Sequence, residues 1–233
     1  MTQFATYPSL KDRAVFVTGG GSGIGACMVE HFAAQGARVG FVDIAQEASK
    51  ALVERIAAAG QPKPLFIPCD LRDIGALRKA LAEVGDTLGP IRVLVNNAAN
   101  DDRHKTLDVT PEYWDERIQI NLRPQFFAAQ AVIPQMKAAG GGSIVNMGSI
   151  SWMIGEGGFA VYTTAKAAVH GLTRSLARDF GPANIRANTV VPGWIMTDRP
   201  VALWLDEEGE RTLLERQCLK RKAYPPDIAR MVL

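Results

Sequence analysis

The run Ala14-Val15-Phe16-Val17-Thr18, closed by Gly19-Gly20-Gly21-Ser22-Gly23-Ile24-Gly25, constrains this chain more than any other segment. Five mostly apolar, partly β-branched residues predict a buried strand. Met28, Val29, Phe32 and Ala33 then recur at helical spacing, so the glycines form a tight turn from strand to helix. Glycine lets backbone approach a bound group closely, and a helix start offers N–H groups and a positive dipole to a pyrophosphate. The spacing is Thr-Gly-x-x-x-Gly-x-Gly, and such a turn by itself also serves ordinary chain reversals.

The next strand, Arg38 to Val42, finishes in Asp43 about 20 residues beyond the glycines. A carboxylate there suits the hydroxyls of an adenosine ribose and would repel a 2′-phosphate. Gly21 brings no compensating charge, and Ile44 stands where a phosphate-binding Arg could sit. These residues favour NAD over NADP. Asp43 is also placed to cap the helix predicted over 46–59, a role compatible with cofactor binding.

Strand-like and helix-like segments alternate to the end of the chain. Strands are predicted at Leu65–Pro68, Val93–Val95, Ser143–Met147 and Ile185–Val191. Helices are predicted at Ile74–Val84, Pro111–Asn121, Pro124–Ala139 and Phe159–Phe180, two of them opened by proline. The expected fold is α/β: one doubly wound parallel sheet with helices on both faces and ligands at the strand C-terminal ends. No linker or repeat divides it, so residues 1–233 read as one domain with a small substrate lobe at about 194–224. Pro225-Pro226-Asp227 opens a helix that stops within its second turn at Leu233. A helix so short cannot stand alone, which leads us to expect a missing C-terminal helix and strand.

At 233 residues and 47% hydrophobic content the chain can bury a substantial core. A net charge of +2 gives no reason to expect nucleic acid or an anionic membrane as partner. The cluster Lys220-Arg221-Lys222, among Glu207, Glu208, Glu210 and Glu215, reads as a solvated helix face. No apolar run reaches membrane-spanning length, and residues 1–11 lack a signal peptide's order. Cys27, Cys69 and Cys218 are odd in number and unpaired by spacing, as in a reduced cytoplasmic protein. His31, His104 and His170 are scattered, and no metal site is predicted.

Tyr162 and Lys166 lie four apart on one helix, so phenol and ammonium share a face. An ammonium beside a phenol favours phenolate and would bring the tyrosine into range as a general base toward an alcohol. That spacing is common by chance, but other motifs fall at the ends of successive strands. Gly19 to Gly25 follow the first, Asp43 the second, Asp70 the third, Asn96-Asn97-Ala98-Ala99 the fourth, Ser149 the fifth and Pro192-Gly193 the sixth. Together with Tyr-x-x-x-Lys, and a serine 13 residues upstream of the tyrosine, the set resembles the short-chain dehydrogenase/reductase superfamily across nearly the whole chain.

The resemblance implies Tyr162 as general base, with Lys166 binding the nicotinamide ribose and lowering the Tyr162 pKa. It implies Ser149 as orienter of the reacting oxygen, and Asn121 as holder of a relay water. Asn121 by itself also reads as a helix C-cap in the left-handed conformation. For NAD, the resemblance implies Gly19, Ser22, Gly23, Ile24, Gly25, Asp43 and Ile44 around adenosine and pyrophosphate. Asp70 and Leu71 would meet adenine, and Asn97, Ala98 and Ala99 the ribose. Pro192, Gly193, Ile195 and Thr197 would lie on the nicotinamide side with Tyr162 and Lys166. In relatives the final strand lies at the sheet edge and contributes to subunit contacts, and the expected assembly is a homotetramer or homodimer.

Specificity falls to the loops after the fourth, fifth and sixth strands. Asn100-Asp101-Asp102-Arg103-His104-Lys105 is rich in donors and acceptors, as a polyhydroxylated ligand requires, though a solvated loop also fits. Trp152 and Trp194 could stack on a sugar face or pack in core or lid, while Trp114 reads as structural and His170 as packing or a subunit contact. Asn96 to His104, Thr110 to Arg123, Gly148 to Trp152 and Gln217-Cys218-Leu219 look like the NAD-dependent aldose 1-dehydrogenases. That group includes enzymes for D-xylose, L-arabinose and 6-deoxy sugars. It implies oxidation of a pentose C1 hydroxyl to a lactone, with Asn100, Ser149, Ser151, Trp152, Tyr162 and Trp194 around a small-molecule sugar. Oxidation of a secondary hydroxyl on a sugar acid or 3-oxoacyl substrate is the nearer alternative; a non-catalytic NAD-sensing regulator is the other.

Overall fold

The computed structural model describes residues 4–197 and 207–233. Six strands form one sheet: β1 (Ala14–Thr18), β2 (Arg38–Asp43), β3 (Leu65–Pro68), β4 (Ile91–Asn96), β5 (Gly142–Met147) and β6 (Ile185–Val190). Their order is β3-β2-β1-β4-β5-β6, and every pairing is parallel. The expected doubly wound sheet is therefore present. Between β1 and β4 the order reverses, and a crevice opens beyond the C-terminal strand ends at such a point.

All five residues of β1 are buried because the strand is covered on both faces. Val15 and Val17 point to one side, where they meet Met28 and Phe32 of α1 (Gly23–Ala34) and Leu52 and Ile56 of α2 (Gln46–Ala58). Phe16 points to the other, against Leu77 and Leu81 of α3 (Ile74–Leu88) and Val132 and Met136 of α5 (Arg123–Ala138). The period-two alternation of a strand thus divides one apolar run between two cores. Burying each such side chain contributes about 1.5–3 kcal/mol.

Most predicted elements hold within a residue or two. Helix α3 runs to Leu88 rather than Val84, ending where Gly89 takes φ +88°. Helix α4 (Pro111–Asn121) and α6 (Ala160–Phe180) flank the crevice. Helix α7 (Glu207–Arg216) contains all four glutamates of the acidic run, but Lys220, Arg221 and Lys222 lie beyond its end, in and just after a bend, not on the helix face expected for them. Of the predicted lobe, residues 198–206 lie outside the described part. Helix α8 (Pro225–Val232) is stabilised by packing rather than by length: Ala229 and Val232 are buried in the core that contains α1. Asp227 closes its first turn, accepting the Tyr224 N–H at 2.9 Å.

Candidate active site

The glycines at 19, 21 and 25 leave no room for a side chain. Gly19 has φ +66°, and a Cβ there would lie 2.8 Å from the Ala98 Cα. A Cβ on Gly25 would overlap the Gly19 carbonyl oxygen, and one on Gly21 would meet the Ser49 hydroxyl and the Asp43 carboxyl. Thr18 Oγ accepts the Asn97 and Ala98 N–H groups at 2.9 and 3.1 Å. The Asn97 amide donates to the Thr18 and Gly19 carbonyls at 3.1 and 2.9 Å. Asn97 and Ala98, expected at a ribose, are thus also the braces that hold the turn open. Thr18 belongs to the same frame and was legible only as the first letter of the motif.

Asp43 stands at the end of β2 with its carboxylate fixed from two sides. One oxygen accepts the Gly21 N–H and the other the Ala45 N–H, both at 2.8 Å. Asp43 is therefore not the cap expected of it: the capping residue of α2 is Ala45, without a side-chain cap hydrogen bond, and Asp43 holds only that residue's own N–H. Ile44 beside it is 74% exposed, an apolar surface next to an anchored carboxylate. Ser22 begins α1 without spending its hydroxyl on a cap. At the end of β3, Asp70 is paired with Arg72 at 2.6 Å, which holds its carboxyl below the usual range; Leu71 leans on the core.

Across the switch point lies a cavity of about 660 Å³. Its walls bring together Ile24, Asn97 and Ala99 with Ser149, Ser151, Tyr162 and Lys166, and with Pro192, Gly193, Trp194, Ile195 and Thr197. Ser149 hydrogen-bonds the Tyr162 hydroxyl. Its Oγ also accepts the Ser151 N–H at 3.2 Å, fixing a 3-10 turn over Ile150–Trp152. Lys166 is buried; its ammonium donates to the Met147 carbonyl at 2.8 Å and lies 5.6 Å from the Tyr162 ring centre.

The electrostatics correct the simple expectation for that pair. Burial pushes the Tyr162 phenol up to about 12; the Ser149 hydrogen bond and Arg103 pull it down, while Asp101 and Glu156 push it up. Burial lowers the Lys166 ammonium to about 8, against the opposing pull of Asp101. In this arrangement desolvation outweighs any help the ammonium gives the phenol, because Lys166 is directed to a backbone carbonyl instead of the hydroxyl.

Asn121 is fully buried and clamps the loop after β4. Its Oδ1 accepts the Asn100 N–H at 2.8 Å, and its Nδ2 donates to the carbonyls of Asn100 and Arg117 at 3.0 Å. It is not a left-handed cap, since Asp12 and Asn184 are the non-glycine residues with positive φ among those described. Asn100 is used in the same clamp, with its side-chain oxygen accepting the Asp102 N–H at 3.1 Å, and it lies outside the cavity wall. Trp152 is also outside: its ring meets His170 edge-on at 5.0 Å. Neither lines the cavity: the Asn100 side-chain oxygen is taken by its own loop, and the Trp152 ring is packed against His170.

Other wall residues escaped the sequence reading. Asp101, Arg103 and Glu156 come from two loops, with Arg103 paired to Glu156 at 3.5 Å and lying 3.9 Å over the Phe159 ring. Thr212, Leu213, Arg216 and Gln217, on or just beyond α7, close the far side. The polar loop after β4 was the one local signal; nothing local ties Glu156 to Arg103. Ser151 Oγ and Trp194 Nε1 are buried on the wall with no hydrogen-bond partner among the described residues. Buried polar atoms of this kind demand a partner from a ligand or water.

A narrow cradle of backbone, an anchored acid beyond it and a Ser–Tyr–Lys group across the switch point define a dinucleotide-linked dehydrogenase site. The short chain dehydrogenase family model matches residues 13–208, and the chain belongs to that family. It is 54% identical over 222 residues to the probable galactose dehydrogenase GalD of Rhizobium meliloti, covering 95% of this chain and 87% of that protein. It is 50% identical over 229 residues to the D-xylose 1-dehydrogenase of Caulobacter vibrioides, covering 98% and 90%. Among solved structures it resembles a 7α-hydroxysteroid dehydrogenase complexed with NADH and 7-oxo glycochenodeoxycholic acid. The TM-score there is 0.90 at 28% identity, covering 98% of this chain and 89% of that one.

Proposed function

We propose that this chain oxidises the C1 hydroxyl of a cyclic aldose to a lactone with NAD. The observation that carries the reading is the joining of Ser149, Tyr162 and Lys166 to a cavity whose wall also carries Asp101, Arg103 and Glu156. An apolar substrate would set carbon against those polar groups, whereas ring hydroxyls can hydrogen-bond to them. The two sugar dehydrogenases that match over most of the chain support the same substrate class.

The residues present fit a dinucleotide. Gly19, Ser22, Gly23, Ile24 and Gly25 would hold the pyrophosphate on backbone N–H groups, with Asp43 and Ile44 at the adenosine ribose and Asp70 and Leu71 near adenine. Asn97, Ala98, Ala99 and Lys166 would face the second ribose, and Pro192, Gly193, Ile195 and Thr197 the nicotinamide. Gly21 has no room for a basic side chain against Ser49 and Asp43, which supports NAD over NADP. Bound there, NAD supplies the hydride acceptor and one positive charge.

The chain supplies the proton chemistry. Ser149 donates to the substrate oxygen and orients it, and Tyr162 takes the C1 hydroxyl proton. Arg103 and the Ser149 hydrogen bond favour phenolate against burial. Asp101 helps keep Lys166 charged. Asn121, through its clamp on Asn100, holds the loop that presents Asp101 and Arg103. A panel of aldoses, sugar acids and acyl thioesters assayed with NAD and NADP tests the reading. NADH production from aldoses supports it; turnover only of the acids or thioesters would overturn it.

We further propose a cytoplasmic homotetramer or homodimer. Exposed Trp114 on α4 and Phe126 on the adjacent α5 support assembly, and the absence of disulfides supports a reducing compartment. Among the described residues, no helix is long and apolar enough to cross a membrane. Light scattering on the purified chain reads the subunit number directly.

A further inference from the structure

Resting on the reading of Tyr162 as proton acceptor, we propose that His104 is a positioning residue: its neutral imidazole caps, from a distant loop, the helix that carries Tyr162 and Lys166. Helix α6 begins at Ala160, and its first internal bond runs from the Thr163 N–H to the Phe159 carbonyl at 3.0 Å. The N–H groups of Ala160, Val161 and Tyr162 therefore need acceptors from outside the helix. Phe159, at the capping position, provides none from its side chain. His104 Nε2 accepts the Val161 N–H at 3.3 Å across 57 residues of sequence, one residue before Tyr162. The His104 main-chain N–H ties the same junction by donating to the Gly158 carbonyl at 2.8 Å.

The rest of the ring fixes its protonation. Since Nε2 accepts, the neutral imidazole carries its proton on Nδ1. Nδ1 lies 2.9 Å from the Tyr113 hydroxyl and 3.3 Å from the Asp102 carbonyl. The Tyr113 hydroxyl in turn donates to the Asp102 carboxylate at 3.1 Å. Nδ1–H to phenol to carboxylate is a consistent donor chain, and the Tyr113 ring packs edge-on against the imidazole at 5.0 Å. One side chain thereby joins α4, the loop that presents Asp101 and Arg103, and the first turn of α6.

Protonation breaks the arrangement. An imidazolium would face the Val161 N–H with a donor of its own and would put a cation at the positive end of a helix. The charged and titratable groups nearby are Asp102 and Arg103 on the loop, Tyr113 and Arg117 on α4, Glu156 ahead of α6, and Tyr162 on it. None of these groups restores the lost acceptor. Acid should therefore loosen the Tyr162 turn and the loop together.

The test compares the full chain with His104→Gln, which keeps an acceptor without titrating, and His104→Ala, which has none. D-xylose oxidation with NAD is followed from about pH 5 to 9, and exchange of the Val161 amide is measured alongside. The expected result is a kcat about tenfold lower in His104→Ala, with faster Val161 exchange by a similar factor. His104→Gln should keep protection and lose one step of the acid limb. Identical pH profiles in wild type and His104→Gln would overturn the proposal, even if His104→Ala fails to fold. So would lost Val161 protection in His104→Ala with unchanged kcat. Tyr162→Phe is assayed in parallel: retained turnover there would sink the proton-acceptor reading, while the Val161 exchange still reports on the cap.

Discussion

The two halves of the crevice are made of different materials. Over β1 and β2 the site is backbone: a turn from which side chains are excluded, with one carboxylate held by two N–H groups. Over β5 and β6 it is side chains, gathered from Ser149, Glu156, Tyr162, Trp194 and α7, over a floor of glycine and proline. A backbone cradle is written in consecutive residues and recurs for any dinucleotide. A side-chain wall is assembled from segments 50 or more residues apart in places, as Arg103 and Glu156 are in their 53-residue separation, and so can change substrate without disturbing the cradle.

That contrast can be broken by experiment. Tyr162→Phe should cost the most, lowering kcat by about 10²–10⁴. NAD affinity, read by protein fluorescence, should barely change if the halves are separable; a parallel loss of affinity would join them. Gly21→Val attacks the other half by forcing a Cβ into Ser49 and Asp43. NAD binding should weaken by roughly 10–100-fold with kcat at saturating NAD nearly preserved, as two or three kcal/mol of overpacking would give. Asp43→Ala should raise the KM for NAD about tenfold and narrow the gap to NADP, since a charged hydrogen bond contributes about 1.5–3 kcal/mol. An unchanged cofactor preference would remove Asp43 from the ribose.

The smallest effect is on stability and pH. Burial lowers Lys166 from 10.5 to about 8, so between those values the unfolded chain holds a proton the folded chain has released. Stability should therefore rise with pH across that window, by at most about 1.4 kcal/mol per unit. Tyr162, raised from 10.0 to about 12, has the opposite sign and should lower stability above pH 10. Urea titrations without added nucleotide measure both slopes, and Lys166→Met should abolish the first. If it does not, the slope comes from a group other than Lys166.

The strands were legible because burial on both sheet faces leaves uninterrupted apolar runs such as 14–18, and helices because their periodicity survives locally. The end of α3 was misplaced by four residues, since Gly85 interrupts the pattern while the helix continues to Gly89. In the site, Gly19, Asp43, Ser149, Tyr162 and Lys166 were all readable by position. Trp152 and Asn100 misled, because an indole or an amide shows nothing in sequence of the neighbour that will claim it. His170 meets the Trp152 ring, and the Asp102 N–H takes the Asn100 side-chain oxygen.

Sequence alone determined the sheet, the cradle and the positions of Ser149, Tyr162 and Lys166, all carried by short segments whose backbone conformation is set locally. Only the tertiary structure decided the state of those groups. Tyr162 and Lys166 share a helix face by spacing, yet packing against Met147 and the exclusion of water set both their pKa values. The cap on their helix comes from His104, on a loop the periodicity of α6 cannot reveal. Desolvation and long-range hydrogen bonds depend on where the whole chain closes, and no local pattern records that.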